Sequence, residues 1–136
     1  MADDYVEFSI DSNRRYTRDH LWLQILDKEE GTWKVGVSDC IVKEIGEILH
    51  VIPAEVDEEF SDGDVIFSLR AEKDSERFDA PFSGQVVEVN NELEATPELV
   101  YDDTYNDGWI MIIKPHEIDE DQFLTAEEYI ESLSDY

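Results

Sequence analysis

The 136-residue chain predicts a mainly β fold, a small barrel or sandwich with one short internal helix and one C-terminal helix. Three observations carry this. Seven or eight short runs of Val, Ile, Leu, Phe and Trp recur along the chain at close spacing. They are separated by turn residues such as Asp11-Ser12-Asn13, Gly31 and Asp62-Gly63-Asp64. Apolar residues make up 41 % of the chain, with six Phe, six Tyr and three Trp spread throughout, so one domain with a real core is expected rather than a long disordered half.

Taken in order, Val6, Phe8 and Ile10 alternate with polar residues and predict an edge strand. We place an N-terminal extension at 1–15 and a single domain at 16–136. Leu21–Leu26 and Trp33–Val37 flank a charged link containing Gly31 and predict a β-hairpin. Ser38 is a suitable N-cap for a helix reaching Ile45, with Ile41 and Ile45 on one face and Gly46 ending it in a left-handed conformation. Ile48–Ile52 is a strand closed by Pro53, and 55–64 is an acidic loop. Val65–Leu69 and Arg77–Ala80 form the arms of a second hairpin, and Val86, Val87 and Val89 mark the strand after Gly84. Thr96-Pro97 opens a short helical turn, with proline where no N–H is missed. Trp109–Ile113 is a last strand apolar enough to be buried on both faces. Thr125-Ala126-Glu127-Glu128 is a capping box, with Leu124 and Tyr129 spaced as a hydrophobic staple and Tyr129, Ile130 and Leu133 on the apolar side of the helix.

Composition excludes several functions. With 36 acidic residues against 10 Lys and Arg, the net charge is −26. Phosphate backbones and anionic lipids would be repelled, so neither nucleic acid nor membrane is expected as a partner. No run approaches the ~20 apolar residues of a membrane span. Cys40 is the sole cysteine, no internal disulfide is possible, and the N-terminus has neither a secretory nor a transit pattern, which predicts a cytoplasmic protein.

Lys73 is one of five lysines and falls between the arms of the second hairpin, in Leu69-Arg70-Ala71-Glu72-Lys73-Asp74-Ser75-Glu76-Arg77-Phe78. An amine at a hairpin tip is held away from the body of a protein, as a covalently attached arm requires. Other constellations carry less. His20, His50 and His116 lack metal-ligand spacing, Cys40 reads as a small buried hydrophobe, and Asp62-Gly63-Asp64 reads as a solvated turn without the spacing of a calcium loop. Trp22, Trp33 and Trp109 read as strand residues of the core. No catalytic residue and no metal ligand are assigned.

Five segments, in order, resemble the H protein family of the glycine cleavage system. They are Tyr16-Thr17-Arg18-Asp19-His20-Leu21-Trp22, Gly36-Val37-Ser38-Asp39 with Ile45-Gly46-Glu47-Ile48, Pro81-Phe82-Ser83-Gly84-Gln85-Val86-Val87-Glu88-Val89-Asn90, Pro97-Glu98-Leu99-Val100, and Tyr105-Asn106-Asp107-Gly108-Trp109-Ile110. The resemblance implies a flattened lipoyl/biotinyl-type β-barrel (a barrel-sandwich hybrid) with lipoate covalently attached to Lys73, eight residues before Pro81. It implies a carrier rather than an enzyme, shuttling an aminomethyl group from glycine decarboxylase to an aminomethyltransferase. Dihydrolipoyl dehydrogenase and a lipoate ligase or transferase are the further implied partners. Biotin fits less well, because Met1 and Met111 are far from Lys73.

The chain departs from the family pattern at Arg70-Ala71-Glu72, at Asp74-Ser75-Glu76-Arg77, at Leu21 and at Cys40. Leu21 and Arg77 stand where acidic groups would meet a cationic load, and Arg77 would disfavour that cation. Two alternatives follow: a lipoyl carrier of another pathway, or an unmodified interaction module of the same fold.

Overall fold

The computed structural model describes residues 14–17, 19–72, 74–116 and 123–133, apart from the side chains of Cys40, Lys43, Glu44 and Leu133. The expected strand at Val6–Ile10 and Lys73 itself lie outside the described residues.

Among the described residues nine strands and four helices follow one another: β1 Arg15–Tyr16, β2 Leu21–Asp27, β3 Thr32–Val37, α1 Asp39–Ile45, β4 Ile48–Pro53, β5 Glu59–Phe60, β6 Val65–Ala71, β7 Ser75–Asp79, β8 Gly84–Val89, α2 Glu92–Ala95, α3 Leu99–Asp102, β9 Met111–Pro115 and α4 Ala126–Leu133. The strands form two antiparallel sheets, one ordered β1-β2-β3-β9-β8-β5 and one ordered β4-β6-β7. Among the described residues no ladder joins the two sheets. They face each other as a flattened barrel-sandwich instead of closing.

The apolar runs explain this arrangement. Leu21, Leu23, Val35, Val37, Ile66, Phe67, Leu69, Phe78, Val86 and Ile113 meet between the sheets. Full burial of each such aliphatic or aromatic side chain is worth roughly 1.5–3 kcal/mol. Trp22 alternates to the opposite face of β2, where it joins Tyr16 and Tyr129 in a second cluster beneath α4. The unbroken apolar run Leu21-Trp22-Leu23 is therefore buried on both sides. Gly36 lies opposite Trp22 in the ladder, and a Cβ there would fall 2.4 Å from the indole. Glycine at this motif position seats the ring.

The C-terminal capping box forms as expected. Thr125 N–H donates to Glu128 Oε1 (2.9 Å) and Glu128 N–H donates to Thr125 Oγ1 (3.2 Å). Leu124 packs on the cluster holding Tyr129, which completes the staple.

Five expectations are corrected. Ser38 is the N-cap of α1 by position, but its hydroxyl caps nothing and turns instead to Tyr129. The acidic loop contains β5, which pairs with Gly84 and Gln85. One-turn helix α2 was not expected, and the turn placed at Thr96-Pro97 becomes helical only at Leu99. The last strand begins at Met111, so Trp109 is a half-buried loop residue with Lys34 Nζ 5.5 Å above its ring. Ile130, placed on the apolar side of α4, is 49 % exposed. The helix docks along the edge that carries Ala126 and Tyr129.

Candidate functional site

The hairpin of β6 and β7 is held from within. Phe67 and Phe78 stack at 4.9 Å between ring centroids, and Leu69 and Ala71 are buried beside them. Arg70 pairs with Ser75, and Ala71 N–H donates to Asp74 O (2.9 Å), which closes the described part of the hairpin. Glu72 N–H donates to Glu47 O (2.8 Å), tying the tip to the link between α1 and β4. Glu72 and Asp74, the neighbours of Lys73, are both exposed.

Beside the hairpin lies a cleft of about 240 Å³, lined by Asp19, His20, Ile41, Glu76, Arg77, Phe78 and Asp79. It runs between the free edge of β7, the β1–β2 turn and α1. Ile41 and Phe78, almost fully buried, supply its apolar wall. Among the described lining residues, three carboxylates, Asp19, Glu76 and Asp79, stand against one guanidinium, that of Arg77.

Two expectations about the cationic load change here. Leu21 is 1 % exposed and belongs to the core between the sheets, so it does not face the cleft. Arg77 does line the cleft, but among three carboxylates, so the local field favours a cation.

His20 is positioned by a buried polar knot. It occupies the left-handed region at φ 75°, at the end of a turn in which its N–H donates to Thr17 O (3.1 Å). Thr17 N–H in turn donates to Leu21 O (3.0 Å). His20 O accepts from Ser38 N–H (2.8 Å). The hydroxyl of Tyr129, which is fully buried, lies 2.6 Å from His20 Nδ1 and 2.6 Å from Ser38 Oγ. Tyr129 also stacks on Tyr16 at 4.7 Å and 7°. The C-terminal helix thus fixes a wall of the cleft.

The other candidates are not brought together. His50 stands on β4 opposite Arg70, and His116, after β9, meets Glu59 at 3.3 Å. Cys40 lies in α1, its side chain outside the described residues. Asp64 Oδ2 accepts from Ser61 N–H (2.8 Å), as a turn aspartate does. Sequence reasoning missed Asp19, Glu76 and Asp79 as cleft residues, and nothing in their spacing marks them. Asn90, a motif residue, proves structural: its amide donates to Asp107 O (2.9 Å) and Trp109 O (2.8 Å).

A family model described as "Glycine cleavage H-protein" matches residues 14–136. The chain is 40 % identical over 129 residues to the "Probable glycine cleavage system H protein" of Thermococcus kodakarensis, covering 93 % of this chain and 94 % of that one. It is 34 % identical over 139 residues to the "Glycine cleavage system H protein 4" of Aquifex aeolicus, covering 99 % of this chain and 78 % of that one. Its fold is similar to the crystal structure of a glycine cleavage system H protein from Mycobacterium marinum, with a TM-score of 0.83 and 32 % identity, covering 92 % of this chain and 99 % of that one.

Proposed function

The chain belongs to the glycine cleavage H-protein family, and from that membership we propose that it is a carrier, with lipoate in amide linkage to Lys73. It takes an aminomethyl group from glycine decarboxylase to an aminomethyltransferase, with dihydrolipoyl dehydrogenase restoring the oxidised arm. Two observations support this reading: the hairpin end is pinned by the Ala71–Asp74 and Glu72–Glu47 hydrogen bonds, with Lys73 between Glu72 and Asp74 in the sequence, and a carboxylate-lined cleft runs along β7.

The surroundings of Lys73 fit the cofactor. Exposed Glu72 and Asp74 leave the tip open to a modifying enzyme, and the Ala71–Asp74 and Glu72–Glu47 hydrogen bonds keep the backbone beneath it fixed. Lipoate supplies a dithiolane that takes up carbon groups and electrons, chemistry that belongs to the cofactor and not to the polypeptide. The protein contributes attachment, orientation and shelter. Asp19, Glu76 and Asp79 attract an ammonium group into the cleft, and Ile41 and Phe78 offer an apolar wall.

Intact mass after expression with lipoate and a lipoate ligase tests the attachment. A lipoyl adduct mapped to Lys73 and lost in Lys73→Arg is expected. An unshifted mass, under conditions that modify another lipoyl domain, refutes it and leaves the unmodified module. Labelled glycine with glycine decarboxylase tests the cargo. A lipoylated protein that takes no label serves another pathway.

A further inference from the structure

The outer face of the β4-β6-β7 sheet carries an unusual charge for this chain. Cross-strand registers place His50, Arg70 and Ser75 in one row, and Ile52, Ser68 and Arg77 in the next. Phe67, Leu69 and Phe78 point the other way, into the core. His50, Arg70, Ser75 and Arg77 are exposed, and Ile52 is 56 % exposed in the row that ends on Arg77. Among the described residues no carboxylate lies within 4 Å of either guanidinium, in a chain with 36 acidic residues. Asp79, two residues beyond Arg77 on the same face, sits beside Val65 on the side away from the tip. Two unpaired arginines, an imidazole and an isoleucine thus form a small cationic face with an apolar centre, immediately below the tip of the hairpin.

We propose that this face docks a carboxylate-bearing surface of the enzyme that acylates Lys73. The inference rests on the reading that Lys73 is acylated. A net charge of −26 repels an acidic partner in general, so two outward arginines free of carboxylate partners favour an orientation in which this face meets it. Proximity selects the acylating enzyme. Arg70 and Arg77 lie three and four residues from Lys73, roughly 10–13 Å along extended strands. An enzyme that works on the lysine nitrogen must cover this stretch of the hairpin. Enzymes that work on the dithiolane act a pentanoyl chain beyond it. Arg77, on the edge strand, borders the cleft on one side and this face on the other.

The test uses the full apo chain and the purified lipoate-attaching enzyme of the same organism. Initial rates are measured against acceptor concentration for wild type, R70E/R77E, R70Q/R77Q and R70K/R77K, with K28E in the β2–β3 link as a remote control. Thermal midpoints verify folding, which substitutions at exposed strand positions should leave close to wild type. Charge reversal should raise the KM for the acceptor about ten-fold or more and leave kcat within about two-fold, as expected for lost electrostatic complementarity. R70Q/R77Q should fall between, R70K/R77K should recover most of the loss, and K28E should behave as wild type. Added salt should raise the KM of wild type and not that of R70E/R77E. Modification of R70E/R77E with the wild-type KM overturns the docking face alone. Charge reversal that spares acylation but slows reoxidation of the lipoylated chain also overturns it, and assigns the face to a redox partner. A wild-type chain that accepts no lipoate overturns the Lys73 assignment, and the docking face falls with it.

Discussion

Replacing Tyr129 by Phe should destabilise the fold in a way that isolates one oxygen atom. The ring stack on Tyr16 at 4.7 Å survives, as does the packing against Trp22. The loss is the oxygen 2.6 Å from both Ser38 Oγ and His20 Nδ1. Ser38 is 0 % exposed, so its hydroxyl cannot turn to water, and a buried polar group left without a partner costs about 1–3 kcal/mol. His20 is half-buried and recovers part of its bond from solvent. A net loss of about 2 kcal/mol is expected. At about 2.1 cal/mol/K per residue, unfolding 136 residues carries about 0.3 kcal/mol/K, so the thermal midpoint should fall by roughly 7 °C. Calorimetry measures the shift. Ser38→Ala in the Tyr129→Phe background should restore part of it, because the stranded hydroxyl is gone. The nitrogen shifts of His20 should also move in Tyr129→Phe. A midpoint within about 1 °C of wild type, with unchanged imidazole shifts, would refute the reasoning.

Three further outcomes are expected. Gly36→Ala puts a methyl 2.4 Å from the Trp22 indole, and overpacking of this kind should cost about 1–3 kcal/mol in urea unfolding, with quenching or shift of tryptophan fluorescence. Asn90→Asp replaces an amide that donates to Asp107 O and Trp109 O with a carboxylate facing two carbonyls; a loss of about 2 kcal/mol or more is expected, and less at pH 3, where the acid can again donate. The Glu128 carboxyl is held below the ordinary glutamate range by the Thr125 backbone N–H and then by its hydroxyl. Its contribution to α4 is therefore complete above the unfolded pKa of about 4.3 and is lost as pH falls through the lower folded value, so amide exchange in the first turn should accelerate there and not in Glu128→Gln.

Much of the fold is legible in local pattern. Alternation and apolar runs mark β2, β3, β6, β8 and most of β9, and Thr125–Glu128 announces α4 because both halves of its cap lie within four residues. What escapes is set by distant partners. β5 is two residues long and exists because Gly84 and Gln85 lie beside it. Trp109 reads as strand, yet its carbonyl is claimed by Asn90, nineteen residues earlier. Ser38 has every property of a cap, but Tyr129, ninety-one residues on, takes its hydroxyl. In the candidate site the β6–β7 hairpin is legible in the sequence, and the cleft is not. Asp19, Glu76 and Asp79 become neighbours only when the edge of β7 meets the first turn of the larger sheet. The sign of the cleft therefore had to be guessed from single positions, and Leu21 and Arg77 pointed the wrong way.

The pinned base of the lysine hairpin has a kinetic consequence. With Ala71 bonded to Asp74, Glu72 bonded to Glu47, and Phe67 stacked on Phe78, the backbone on either side contributes little slack. An arm attached there, as proposed, would sweep a radius fixed by its own length. A catalytic centre docked within that radius meets the cargo at the millimolar effective concentration of a short tether, whereas one docked just outside it meets none. Under the proposed reading, each enzyme that uses the arm would have to bring its centre within that radius of the tip.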